Sequence, residues 1–206
     1  MQVFLPYPDI KQSLFCLDKR RLAKQRVEAK QLIDTILDRP TVSGKVRTGW
    51  KNHPAAVMFR NSIGFLKIYY HHSLEVFSDR GGKNAKLTYE KNLLFATAPW
   101  WYGIEEIHAS HRGRLLFKGK IDVLADRIQK FTKQRSVNRW LKENGFPYLN
   151  AFTEENYIDC TVKLDVLGAA QSNKTNFYEA YGWKESDQLQ YVWPGEAPED
   201  GLRILK

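Results

Sequence analysis

Between Asp18 and Leu37, in DKRRLAKQRVEAKQLIDTIL, the apolar positions Leu22, Ala29, Leu32, Ile33 and Ile36 gather on one side of the chain, if it turns by about 100° per residue. That spacing predicts an amphipathic helix. It ends at Asp38-Arg39-Pro40, because Pro40 disfavours helical geometry at Arg39. Asp9, with Gln12 three residues on, has the form of a capping box for a short preceding turn. A second helix is expected from His53-Pro54, with proline at the first helical position, through VMFRNSIGFLKIYYHHSLEVFSDR to Gly81-Gly82. Residues 84–97 read as a third helix, and a fourth opens near Ser110 and carries RLLFKGKIDVLADRIQKF. Ser136 and Thr153 stand where the N-caps of two shorter helices belong. Only MQVFL and LQYVW alternate as strands do. The fold class read from these patterns is all-α.

Composition narrows the class of protein. A chain of 206 residues with 43% hydrophobic side chains fills one core, and a second complete domain would be a squeeze. The expected organisation is therefore a single domain over residues 1–206. No apolar run reaches the roughly 18 residues of a membrane helix, and MQVFLPYPDI lacks the basic-then-apolar layout of a signal peptide. The two cysteines, Cys16 and Cys160, with no CxxC, exclude a disulfide scaffold and a cysteine-rich metal site. The expectation is a soluble intracellular protein with reduced thiols.

The net charge of +9 is unevenly spread. Residues 1–60 hold 12 basic and 5 acidic side chains and residues 111–142 hold 10 and 2, whereas 143–206 hold 5 and 11. Two basic blocks ahead of an acidic tail point to a polyanion such as nucleic acid, since each phosphate neutralised releases counterions. A surface made basic for solubility alone would give the same totals.

Glu28 narrows that reading. From Lys19 to Gln31 it is the only acid among six cations, Lys19, Arg20, Arg21, Lys24, Arg26 and Lys30. It lies at the margin of the apolar stripe, with Arg21 and Lys24 on the same side and Gln25 and Gln31 nearby. A helix built only for solubility mixes signs through i,i+4 pairs. A lone acid in a basic field suits an enzyme that grips phosphates and brings one carboxylate to a sugar; relief of repulsion between neighbouring cations is the plainer explanation. His108 and His111, in IHASHRGR beside Arg112 and Arg114, read as phosphate or base contacts rather than metal ligands, for want of a third ligand at telling spacing. His53 is either a helix cap or a contact, and His71-His72 a helix face. Pro99-Trp100-Trp101-Tyr102 is either core or a base-stacking loop. GxxxxGK[ST], GxGxxG, GxSxG and HExxH are all absent, so nothing supports phosphate-loop, dinucleotide, serine-hydrolase or zincin chemistry.

Five blocks occur in order: MQVFLPYPD, LDKRRLAKQRVEA, GWKNHPA, the HASHR of IHASHRGRLL, and YGW…DQLQYVWP. This series resembles the pyrimidine-dimer DNA glycosylase family, the ultraviolet-repair endonucleases of phage type. The resemblance covers residues 1–118 and 177–194; residues 119–176 look like a helical insertion and 195–206 like a tail. It implies a compact all-α enzyme that needs no metal or other cofactor and acts on double-stranded DNA containing a lesion. It further implies both base release and abasic-site lyase activity, with the N-terminal α-amine as Schiff-base nucleophile.

By its place in LAKQRVEA, Glu28 matches the family's assisting glutamate. Because Gln2 is not a small residue, Met1 is expected to be retained and to carry the amine. Arg20, Arg21, Lys24, Arg26, His53, Arg60, His108, His111 and Arg112 are the expected DNA contacts. The expected state is a monomer without membrane association, in the cytoplasm or with the nucleoid. A glycosylase for another modified base, or a helical nucleic-acid-binding module without catalysis, are the alternatives.

Overall fold

The computed structural model describes residues 2–41, 43–46, 50–91, 93, 96–133, 136–184 and 191–194. They form an all-α protein: α1 (Ile10–Phe15), α2 (Lys19–Ile36), α3 (Pro54–Val57), α4 (Ile63–Asp79), α5 (Glu105–Thr132), α6 (Val137–Glu143) and α7 (Glu154–Val166), with 3-10 turns at Leu149–Ala151 and Phe177–Tyr181. Among the described residues there is no strand, only an isolated bridge between Pro40 and Val46. By chain contacts the molecule divides into two compact units, Met1–His111 with Gln190–Lys206, and Arg112–Leu189. The boundary falls inside α5.

In the first unit α2 packs chiefly on α4, with α1 also on α4 and α3 on α2. The Asp18 carboxylate accepts the amides of Arg20 and Arg21 and so starts α2. Leu22, Ala29, Leu32 and Ile33 then bury the predicted stripe. Asp9 caps α1 through the amide of Gln12. The single helix expected from Pro54 to Arg80 is instead two. Met58 closes α3, its carbonyl accepts the Trp101 indole N–H at 3.0 Å, and α4 restarts after Ser62. Trp101 is fully buried, which settles it as core.

Two further expectations are corrected. Among the described residues of 84–97 there is no helix. The Glu90 amide donates to His71 Nε2 at 2.7 Å and Tyr70 donates to the Thr88 carbonyl at 2.9 Å, so bonds from α4 replace the helical ladder. The fourth helix begins at Glu105, not near Ser110; Glu105 and Glu106 occupy its first turn, where negative charge favours the helix dipole.

The second unit has its own core, built from Phe117, Ile121, Leu124 and Ile128 of α5, Trp140 and Leu141 of α6, Phe152, and Cys160 and Leu164 of α7. Asn176 binds its 3-10 turn back to α5, donating to the Leu116 carbonyl at 3.0 Å and accepting the Tyr178 amide at 3.1 Å. Ser136 and Thr153 stand at the starts of α6 and α7, Thr153 with its side chain accepting the Asn156 amide. Cys16 and Cys160 are buried free thiols, and burial pushes them up to about 12 and about 11.

Candidate active site

Residues 2–5, expected as part of a strand, are extended but have side chains as partners. The Gln2 amide donates to Glu28 Oε2 at 3.3 Å, and the Gln25 amide nitrogen donates to the Gln2 carbonyl at 3.0 Å. The Val3 carbonyl accepts from the Tyr191 hydroxyl at 2.8 Å. The Phe4 amide donates to Gln25 Oε1 at 2.9 Å, and the Tyr69 hydroxyl lies 3.1 Å from the Phe4 carbonyl. The Leu5 amide donates to His111 Nδ1, and the Leu5 carbonyl meets His108 Nδ1, each at 2.6 Å. Alternation marked this stretch as a strand; its backbone partners are instead side chains from α2, α4, α5 and the segment after 190.

Glu28 is the carboxylate at the head of this arrangement. Its side chain is 13% exposed, and Oε1 lies 3.6 Å from the Nζ of Lys24, itself 72% exposed. Gln25 Nε2 approaches Oε2 at 3.4 Å. Aromatic side chains stand close by: Tyr191 stacks on His111 with centroids 4.4 Å apart, Trp193 lies 4.3 Å from Tyr191, and His53 sits between Trp193 at 5.6 Å and Trp50 at 5.0 Å. The negative charge of Glu28 reaches them. Burial and then Glu28 push the Tyr191 phenol well above its ordinary range. Burial also raises Tyr69, again with Glu28 contributing, so both hydroxyls remain protonated donors.

The expected site residues separate into groups. Glu28 and Lys24 stand together at the head of the chain, whereas Met1 lies outside the described residues. His53 caps α3, its Nδ1 accepting the Ala55 amide at 3.1 Å, and burial lowers its pKa. His108 and His111 were expected to face phosphates or bases, but both rings are fully buried and their Nδ1 atoms hold Leu5. They act on the site by positioning residues 2–5. Arg21 is buried against Asp18. Arg26 is buried as well, with its guanidinium 3.4 Å above the Phe77 ring and a bond to Asn84. Both therefore face the fold rather than a duplex. Arg20 and Arg60 are exposed. Arg60 donates to the Lys51 carbonyl at 3.0 Å and lines a cavity of about 240 Å³ with Thr35, Ile36, Asp38, Lys51 and Asn52. Arg112 is half-buried and belongs to the second unit.

Three residues were not singled out from sequence: Tyr69, Tyr191 and Gln25 in its clamping role. Gln25 carried a faint signal, standing three positions before Glu28 on the same helix face. Among the described residues no group of three or more His, Cys, Asp or Glu could hold a metal ion, and no helix is long and apolar enough to cross a membrane.

Residues 1–90 match the family model of pyrimidine dimer DNA glycosylase. The match spans α1 to α4 and includes Gln2, Gln25, Glu28, His53 and Tyr69. It supports the pyrimidine dimer DNA glycosylase family read from the sequence blocks. No curated protein and no solved structure matches the chain.

Proposed function

We propose that the protein is a DNA glycosylase that releases the damaged base at a pyrimidine dimer and then nicks the strand as an abasic-site lyase. The Met1 α-amine is the nucleophile and Glu28 the assisting carboxylate. One observation carries this reading: the Gln2 amide is bonded to Glu28 Oε2 at 3.3 Å, so the start of the described chain is held at this carboxylate.

The chemistry follows from that neighbourhood. An α-amine has a pKa near 8, against about 10.4 for lysine, so far more of it is free base at neutral pH. The amine lone pair attacks C1′ as the C1′–N bond breaks and its electrons leave with the base. Glu28 stabilises the developing oxocarbenium charge and carries the proton that opens the sugar ring. The resulting iminium acidifies C2′, and loss of that proton expels the 3′ phosphate.

Double-stranded DNA is the partner, gripped through exposed cations, Arg20, Lys24 and Arg60 among them. Extruding a base costs a few kcal/mol, and least at a damaged step, which favours the lesion before any base is contacted. The enzyme works without a cofactor, as a monomer, in the cytoplasm or on the nucleoid.

Borohydride trapping tests the reading. Irradiated duplex incubated with the protein and a chelator, then reduced, should give a covalent adduct that mass spectrometry locates on residue 1. An adduct on a lysine side chain, or none with irradiated or abasic DNA, overturns it.

A further inference from the structure

Gln25 is 1% exposed and makes more bonds at the head of the chain than any other side chain described there. Its Oε1 accepts from the Phe4 amide at 2.9 Å and the Tyr69 hydroxyl at 2.7 Å. Two donors on one atom fix which end of the amide is oxygen. Nε2 is thereby directed at two acceptors, the Gln2 carbonyl at 3.0 Å and Glu28 Oε2 at 3.4 Å. The four contacts match the two lone pairs and two hydrogens of the group, and a buried polar network with every member satisfied is rigid.

We propose that Gln25 is the positioning residue of the active site: its side-chain amide holds the backbone of residues 2 and 4 and Oε2 of Glu28 in one register. This rests on Glu28 being the assisting carboxylate, and adds to it a division of labour between the two carboxylate oxygens. Oε2 is taken by the Gln2 amide and Gln25, whereas Oε1 faces Lys24 at the exposed side and is the oxygen presented to the sugar.

The residue type matters. A lysine or arginine here would donate to Glu28 but neutralise the charge an oxocarbenium needs. A glutamate would set an acceptor against two acceptors. An amide orients the carboxylate and leaves its charge intact. Tyr69 completes the device, because its hydroxyl donates to Oε1 and keeps the amide from turning over.

The test uses Gln25→Glu, Gln25→Leu and Tyr69→Phe in the full chain, with two readouts. One is single-turnover nicking of irradiated duplex across pH beside DNA affinity. The other is hydrogen exchange of the Gln2 and Phe4 amides followed by NMR. Positioning predicts a fall in kcat of about tenfold or more for both Gln25 variants with Kd within threefold, since misplaced catalytic groups cost rate rather than binding. It also predicts faster exchange of both amides in Gln25→Leu, because the clamp on residues 2 and 4 is lost, and that Tyr69→Phe shows the same pattern more weakly. The exchange measurement needs no activity. Unchanged exchange together with unchanged kcat in an active background overturns the role of Gln25. Absence of nicking by the unaltered protein, by contrast, counts against the proposed function and leaves the exchange to decide Gln25. If both Gln25 variants fail to fold, Tyr69→Phe decides: faster exchange supports the relay and no change overturns it.

Discussion

The backbone amide of Gln2 reaches Glu28 Oε2 at 3.3 Å across a sequence separation of 26 residues. The start of the described chain is thus fastened to the one acid among the six cations between Lys19 and Gln31, and a charge that elsewhere would be a surface detail becomes a candidate catalytic group. Replacing Glu28 by Gln keeps the shape and removes the charge and the proton carrier. The expected outcome is a loss of base release and nicking of about 10²- to 10⁴-fold, the range for a general acid–base group. Affinity for irradiated duplex should stay within a few-fold. Single-turnover cleavage beside fluorescence anisotropy checks both, and undiminished turnover would refute the assignment.

Acid should weaken the fold in two stages. Burial lowers the pKa of His71 from its ordinary 6.5, and its Nε2 accepts the Glu90 amide. As pH falls below 6.5 the unfolded chain takes up a proton that the folded His71 resists, so stability drops. His53, also lowered by burial, adds to this stage. Burial pushes the Glu90 carboxyl up, but Arg39 and Lys30 more than offset it, and its pKa lies below the ordinary 4.5. Its contribution is whole above 4.5 and is lost as pH falls through the depressed folded value. Urea midpoints measured against pH should show both stages. His71→Gln should shrink the upper one and Glu90→Gln the lower; a midpoint constant between pH 7 and 5 would contradict the first.

What was legible in the sequence is what depends on near neighbours. The start of α2 at Asp18, the buried stripe of Leu22, Ala29, Leu32 and Ile33, and the cap at Thr153 all follow from residues within a few positions of one another. Glu28 stood out because its exceptional feature, one acid among six cations, is local too. Residues 2–5 and 84–91 were misread for the converse reason. Their backbone groups are claimed by Tyr69, Tyr191, His71, His108 and His111, and Tyr191 reaches Val3 across 188 residues. No spacing rule sees a side chain that replaces a sheet or helix partner. The same blindness made the two fully buried histidines of α5 look like DNA contacts.

The second unit contains a close approach that only glycine permits. A Cβ on Gly119 would stand 1.7 Å from Asn176 Oδ1 and 2.4 Å from its Cγ. Asn176 is buried and cannot swing aside without releasing the Leu116 carbonyl and the Tyr178 amide. Gly119→Ala should therefore cost about 1–3 kcal/mol, as overpacking does. Denaturant unfolding followed by tryptophan fluorescence checks it, and an unchanged midpoint would mean that the 3-10 turn shifts freely.

Lys24 and Arg26 are two residues apart on α2 and should fail in different ways when removed. Lys24 is 72% exposed beside Glu28, where a phosphate can reach it. Lys24→Ala should weaken binding to irradiated and undamaged duplex alike and reduce the slope of log K against log salt by about 1, the mark of one lost phosphate contact. Arg26 is buried over Phe77, and its Nε has no hydrogen-bond partner among the described residues. Arg26→Ala should leave the salt slope unchanged and instead lower stability by about 2 kcal/mol, from the lost cation–π contact and the packing of its stem. Binding titrations at four salt concentrations, paired with urea unfolding of each variant, separate the two effects. A changed slope for Arg26→Ala with intact stability would reverse the assignment and put the guanidinium on the DNA.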